Sequence, residues 1–478
     1  MRRTTMITWA LVLTSAAPLT SAQTQEDTTY EIPEQVLSTV RALADKALES
    51  ELALEVVTSL TTQVGPRLAG TEAEARAREW GAETLRALGF ANVRVEEFPL
   101  DVWTRGDSVH EELSIVSPYP QPLFATSLGG GGATPKEGLE ATITYFASYD
   151  DFVGTDPAAV KGRAVYINDR MTASRTGEGY GWANRKRRSA WHAAEDMGAA
   201  AVLVRSVGTD SHRFPHTGLV GLPEGRKPKI PVLAISAPDA DQLERISDQG
   251  ADIMVRIRTP AGWRGEGVSG NVIGEIVGRE KPDEIVIIGG HLDSWDLGTG
   301  ALDDGAGVAI TVAAARLIGE LPQAPRRTIR VVMFGAEEVG LLGARAYASA
   351  RQLDGTLLDH VLGSESDFGA RRVWRLRSDV GPDALPAVTA MGRELSRLGV
   401  IPGNNEGNGG PDMIPLQRAG VPMMRLEQNG EDYFDFHHTP DDTVDKIDPD
   451  ELAQNVAAWV VFAYLAAELD VDFSAGRD

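Results

Sequence analysis

The stretch Glu284-Ile285-Val286-Ile287-Ile288-Gly289-Gly290-His291-Leu292-Asp293 carries the fold and the chemistry together. Four consecutive β-branched residues, with charge before them and glycine after, read as a short strand buried on both faces, as parallel strands are. Thr328–Phe334 repeats the pattern and is followed by Glu337-Glu338. Between the two runs, Asp303-Asp304-Gly305 precedes a helix over about Gly305–Leu321. Further on, a strand near His360–Ser364 leads to Asp367, a helix covers Ala384–Leu398, and a strand Val421–Leu426 leads to His437-His438. The last helix opens with Asp448 as cap and Pro449 at its first position, and runs to about Leu469. Strand–helix alternation from Asn271 onward predicts an α/β layered domain.

Working back toward the N-terminus, composition shifts between about Gly106 and Pro260. Short strands such as Ala164–Ile167 and Ala201–Val204 alternate there with Gly and Pro breaks, and a helix covers Arg188–Met197. Gly129–Gly132 lacks the Gly-Lys-Ser/Thr ending of a phosphate loop and reads as a flexible loop. Thr71 with Glu74 forms a capping box for a helix to about Leu88, Val93–Phe98 alternates as a strand, and Pro33–Leu52 reads as one charged helix. Arg2-Arg3, an apolar Met6–Leu19 and small residues at Thr20-Ser21-Ala22 have the grammar of a cleaved signal peptide, residues 1–22. The apolar run is too short to span a bilayer, so the expectation is a secreted or periplasmic protein with no membrane attachment after cleavage.

Composition excludes whole classes. The net charge of −23 repels phosphate backbones, so nucleic acid is not an expected partner. With no cysteine there is no thiol nucleophile, disulfide framework or sulfur-ligated metal. No Gly-x-Ser-x-Gly elbow occurs, and His110-Glu111 is not a zincin motif because Ser114 stands where the second His belongs. What remains is a set of His and acidic clusters, each just after a strand or before a helix. Alone, each has a plain reading: a hydrogen-bonded His, a turn at Asp304-Gly305, a solvated helix start at Glu337-Glu338. Together they fall where open parallel sheets gather ligands, outside the carboxyl ends of the strands. Four or five carboxylates on one rim repel strongly, and two divalent cations would neutralise them. His and carboxylate donors without sulfur suit zinc, and a paired Glu-Glu can supply one ligand and one free base.

Gly289–Asp296, Ala301–Gly305 and Ala336–Glu338 resemble the co-catalytic zinc exopeptidases, and within them the carboxypeptidase Q type. Glu365-Ser366-Asp367, Gly409–Asp412, and Tyr433–His438 with Asp442-Thr443 extend the likeness, as does Val64–Phe90. The resemblance implies a mixed, largely parallel sheet sandwiched by helices, formed by residues 23–105 and 263–478. Residues 106–262 resemble a protease-associated domain through Val160–Val165, Ala193–Val204 and Ile230-Pro231-Val232 with Leu243, which implies a lid or substrate-positioning role.

The resemblance also implies two zinc ions per chain. His291 and Asp367 would hold one, Glu338 and His438 the other, with Asp303 bridging. Glu337 would be the general base, and Asp293 would sit behind His291 and accept its second ring N–H. A cis peptide is implied between Asp303 and Asp304. His438 takes the ligand role because Thr439 and then Asp442-Thr443 follow it. Other branches of the family place a Tyr at the position of His437, so this imidazole either supports the oxyanion or is packing under Phe434 and Phe436. The expected activity is hydrolysis of dipeptides or short peptides, with a homodimer possible. Aminopeptidase action on longer peptides is the alternative. A receptor-like binding protein on the same scaffold would have lost ligands, and here every ligand position is filled.

Overall fold

The computed structural model describes residues 29–106 and 111–477. The expected signal peptide, residues 1–22, lies outside them. Lys281–His291 is central to an eight-stranded sheet, in the spatial order Ala91–Thr104, Gly262–Ile276, Arg327–Phe334, Lys281–His291, His360–Glu365, Met423–Gln428, Val373–Asp379, Ile401–Pro402. It pairs in parallel with both neighbours, and parallel pairing continues to Met423–Gln428. The flanking pairs formed by Ala91–Thr104, Gly262–Ile276 and Val373–Asp379 are antiparallel. The sheet is therefore mixed. Its four parallel strands are the ones whose carboxyl ends carry the His and acidic clusters.

The β-branched run splits by its period of two. Val286 and Ile288 pack under the helices Ala306–Gly319 and Pro449–Glu468, while Ile285 and Ile287 face Tyr347 of the helix Leu342–Asp354 on the other side. Both faces are thus covered, as a parallel strand requires. Asp448 caps the last helix by accepting the N–H groups of Asp450 and Glu451.

Several boundaries differ from the sequence reading. The expected single helix Pro33–Leu52 is Glu34–Leu48, and a second helix Leu52–Gln63 follows it. Val56, Val57 and Leu60 of that second helix are buried in the main core, which holds it in place despite a polar break at Glu49–Glu51. The capping box at Thr71 is only half formed. Thr71 accepts the Glu74 N–H, but the Glu74 carboxylate turns to the Ser269 hydroxyl, at 2.9 Å, and to Arg78.

Residues 112–258 lie in sequence between the antiparallel strands Ala91–Thr104 and Gly262–Ile276 and form a second eight-stranded sheet. Its centre is parallel, from Leu139–Phe146 through Ala164–Ile167 and Ala201–Arg205 to Val232–Ile235, with apolar cores of its own. The Gly129–Gly132 run is not the open loop expected. All four residues are buried, and Trp103 Nε1 donates to Gly131 O at 2.9 Å. A Cβ on Gly129 would lie 2.0 Å from the Trp295 ring. The glycines serve close packing against a rim loop of the first sheet. Gly129→Ala should therefore cost about 1–3 kcal/mol of stability through overpacking. A denaturant titration with Trp fluorescence reads both the loss and the displaced Trp295; unchanged stability and emission would contradict the contact.

Candidate metal centre

The strand ends bring the expected residues into one place. Asp303 sits between two histidines, with Oδ1 at 3.0 Å from His291 Nε2 and Oδ2 at 3.2 Å from His438 Nε2. Asp367 Oδ1 lies 3.7 Å from His291 Nε2, and Glu338 Oε2 lies 3.0 Å from His438 Nε2. Asp303, Glu337, Glu338, Asp367, His437 and His438 line a common cleft of about 400 Å³. His291 and Asp293 are buried.

Backbone geometry at this rim is unusual. Of the four described non-glycine residues with positive φ, three flank the site: Ala336 at 58°, Leu341 at 58° and His438 at 63°. Left-handed conformations cost L-residues energy and persist where surroundings fix them. The Asp303–Asp304 peptide is cis. Asp442 steadies this bend by accepting the N–H groups of Leu302 at 2.6 Å and Asp303 at 3.2 Å. Asp304 points away from the cleft and accepts the N–H groups of His291 and Gly307.

Asp293 works differently from the expectation. His291 Nδ1 is held by the backbone carbonyl of Asp293 at 2.9 Å, whereas the carboxylate is 3.7 Å away. That carboxylate instead accepts the N–H groups of Glu337 at 3.0 Å and Glu338 at 3.3 Å. Asp293 thus ties the His291 strand end to the Glu337-Glu338 turn, one residue serving both through different oxygens.

His437 stacks on His438 with ring centroids 3.5 Å apart, and Tyr180, Tyr433 and Phe434 surround it. Phe436 is engaged elsewhere, under the Lys446 ammonium. His437 Nε2 lies 3.6 Å from Asp303 Oδ2, and its Nδ1 is buried without a partner.

Burial and charge set the protonation pattern. Burial drives the Glu337 carboxyl well above its usual range, and Asp367 and Glu338 add to the rise. Glu338 and Asp367 are also raised, again chiefly by burial. Burial opposes charge on His291 and His438, yet the surrounding carboxylates push both imidazoles well up. His437 is pushed well down by burial and by its neighbour His438, which favours its neutral form. Protons on this cluster occupy the lone pairs a cation would use. Asp303 Oδ2 and Glu338 Oε1 are buried with no hydrogen-bond partner, so acceptor capacity is left over where the two histidines converge. His291, Asp303 and Glu338 bring their donor atoms within 4.8 Å of one another. This nitrogen and carboxylate set fits zinc.

The sequence reading missed residues that complete the site. Arg67, fully buried, donates to the carbonyls of Leu292, Gly65, Thr299 and Gly300 and so shapes the loop between His291 and Asp303. From the second sheet, His216 meets the His437 carbonyl through Nδ1 at 2.7 Å and Asp210 through Nε2 at 2.6 Å. Thr217 N–H donates to His438 O, and Thr209 N–H to Phe434 O. The strand-end rule, applied to Ala201–Arg205, points to residues 209–217. Asp293→Ala removes the acceptor shared by Glu337 and Glu338, and should weaken metal binding by about 10–100-fold. Competition titration against a chelator measures this, and wild-type affinity would leave Asp293 without the role described.

Residues 271–463 match the family model for peptidase family M28. Carboxypeptidase Q of Bos taurus is 32% identical over 414 residues, covering 86% of this chain and 84% of that protein. Aminopeptidase YwaD of Bacillus subtilis (strain 168) is 26% identical over 465 residues, covering 94% of this chain and 90% of that protein. Among solved structures, a peptidase M28 precursor from Shewanella amazonensis SB2B superposes with a TM-score of 0.89 at 44% identity, covering 92% of this chain and 98% of that one.

Proposed function

The chain belongs to peptidase family M28, and from that premise we propose that it is an exported two-zinc metallo-exopeptidase that hydrolyses dipeptides or short peptides in the manner of carboxypeptidase Q. The observation that carries the reading is Asp303 held between His291 and His438, with buried oxygens left unpaired beside them. His291 and Asp367 would hold one zinc, Glu338 and His438 the other, and Asp303 would bridge. Bound there, zinc polarises a peptide carbonyl and makes water nucleophilic at neutral pH.

The chain's own residues do the rest. Glu337 lines the cleft beside the ligand set and needs no role as a ligand. Its carboxylate takes a proton from the attacking water and returns it to the leaving amine. Neutral His437 has a ring N–H to offer the developing oxyanion. The second sheet acts as a protease-associated domain that covers the cleft and positions substrate, supported by Tyr180, Asn184 and Arg187 in the cleft wall. Residues 1–22 act as the export signal, supported by their charge and apolar pattern. Aminopeptidase action on longer peptides is the competing reading, supported by the likeness to an aminopeptidase.

The Glu pair separates base from ligand. Glu337→Gln should retain the metal and lose about 10²–10⁴-fold in kcat. Glu338→Gln should lose metal, and with it the thermal stabilisation that bound metal provides. Metal analysis and calorimetry on both variants read the difference; zinc lost from Glu337→Gln and kept by Glu338→Gln would reverse the assignment. His437→Ala should lower kcat by about 10²–10³-fold at near-constant KM. Wild-type kcat in steady-state assays would leave His437 as packing.

A further inference from the structure

Among the described residues, Arg187 is the one buried guanidinium that lines the cleft, and no carboxylate pairs with it. It sits on the helix Arg185–Asp196 of the second sheet and lines the cleft with Asn184, Asp303, Glu337 and His438. It is 5% exposed. Nη1 donates to Thr217 O at 3.1 Å and Nη2 to the Tyr180 hydroxyl at 2.6 Å, both neutral, while Nε has no partner. No carboxylate lies within ion-pairing distance of it among the described residues. Other buried arginines are matched. Arg78 has Glu74 at 3.3 Å, Arg205 has Asp241 at 2.7 Å, Arg327 has Glu284 at 2.5 Å, and Arg67 has four carbonyls. Removing a guanidinium from water without compensation is costly.

The guanidinium is fixed beside the catalytic turn. Thr217 O receives Arg187 Nη1 and also lies 3.2 Å from His438 Nδ1. Tyr180, which holds Nη2, stacks on Phe434 at 4.8 Å. Arg187 therefore meets the Nδ1 edge of His438, away from the Nε2 that faces Asp303.

We propose that Arg187 binds the free α-carboxylate of the residue that follows the scissile bond. The assignment rests on the exopeptidase reading above and narrows it. The leaving residue is the C-terminal one, and the substrate class is a dipeptide or short peptide with an unblocked C-terminus. A planar fork with free N–H groups is suited to bidentate carboxylate recognition, and Tyr180 and Thr217 hold it in place before substrate arrives.

The test compares one dipeptide with its C-terminal amide on the zinc-loaded full-length enzyme. Wild type should prefer the free acid by about 10–100-fold in kcat/KM, the discrimination of a charge-assisted pair. Arg187→Met should lower kcat/KM for the acid about 10–100-fold more than for the amide, chiefly through KM of the acid, so that the preference disappears, while Arg187→Lys keeps part of it. Equal rates on acid and amide in wild type would overturn the anchor, and need no variant. So would equal loss on both substrates in Arg187→Met, which marks an oxyanion or folding role. A preference lost instead in Arg425→Gln would overturn it too, since half-buried Arg425 lines the same cleft near Asp367. Wild type inert on both substrates would defeat the exopeptidase reading itself.

Discussion

Mutual repulsion among buried carboxylates is the constraint around which this structure is arranged. Asp293, Asp303, Asp304, Glu338, Glu365, Asp412 and Asp442 are all buried near one end of the first sheet. Charges in such surroundings need compensation close at hand. The molecule divides them into two groups. Asp293, Asp304, Asp442 and Glu365 spend oxygens on backbone N–H groups at strand ends and turns, and so hold the chain in its unusual path. Asp303 and Glu338 keep an oxygen unpaired. Glu365 also keeps one oxygen without a hydrogen bond and Asp412 keeps two, but Asp303 and Glu338 are the ones that lie beside His291 and His438. The first group builds the site, and the second leaves room for cations.

The same division explains what sequence could and could not disclose. Strand ends were legible because four buried β-strands with polar residues after them can only point those residues to one rim. The role of Asp293 was less so. His-x-Asp spacing says that the two residues are neighbours, but which oxygen reaches the imidazole depends on a loop shaped by Arg67 through four carbonyl contacts. Gly129–Gly132 looked like a flexible loop because glycine permits both freedom and close approach; only Trp295 in contact with Gly129 decides between them. Helix Leu52–Gln63 was hidden by a polar break that the tertiary core overrides.

The second sheet belongs to the chemistry as well as to the architecture. Its residues 209–217 are joined by hydrogen bonds to the turn that carries His437 and His438, and His438 adopts a left-handed conformation that needs such support. Asp210 and His216, each buried, form the inner part of that strap. None of this follows from motif spacing, because the partners are more than two hundred residues apart.

The bridged zinc pair proposed for the rim rests on Asp303, whose two oxygens are set against the imidazoles of His291 and His438. Anomalous diffraction across the zinc absorption edge, on crystals of zinc-loaded protein, tests it most directly. The account requires two peaks, one touching His291 and Asp367, the other touching Glu338 and His438, with Asp303 reaching both. A single peak, or a peak held by Asp304 or Asp412 in place of Asp303, would contradict it.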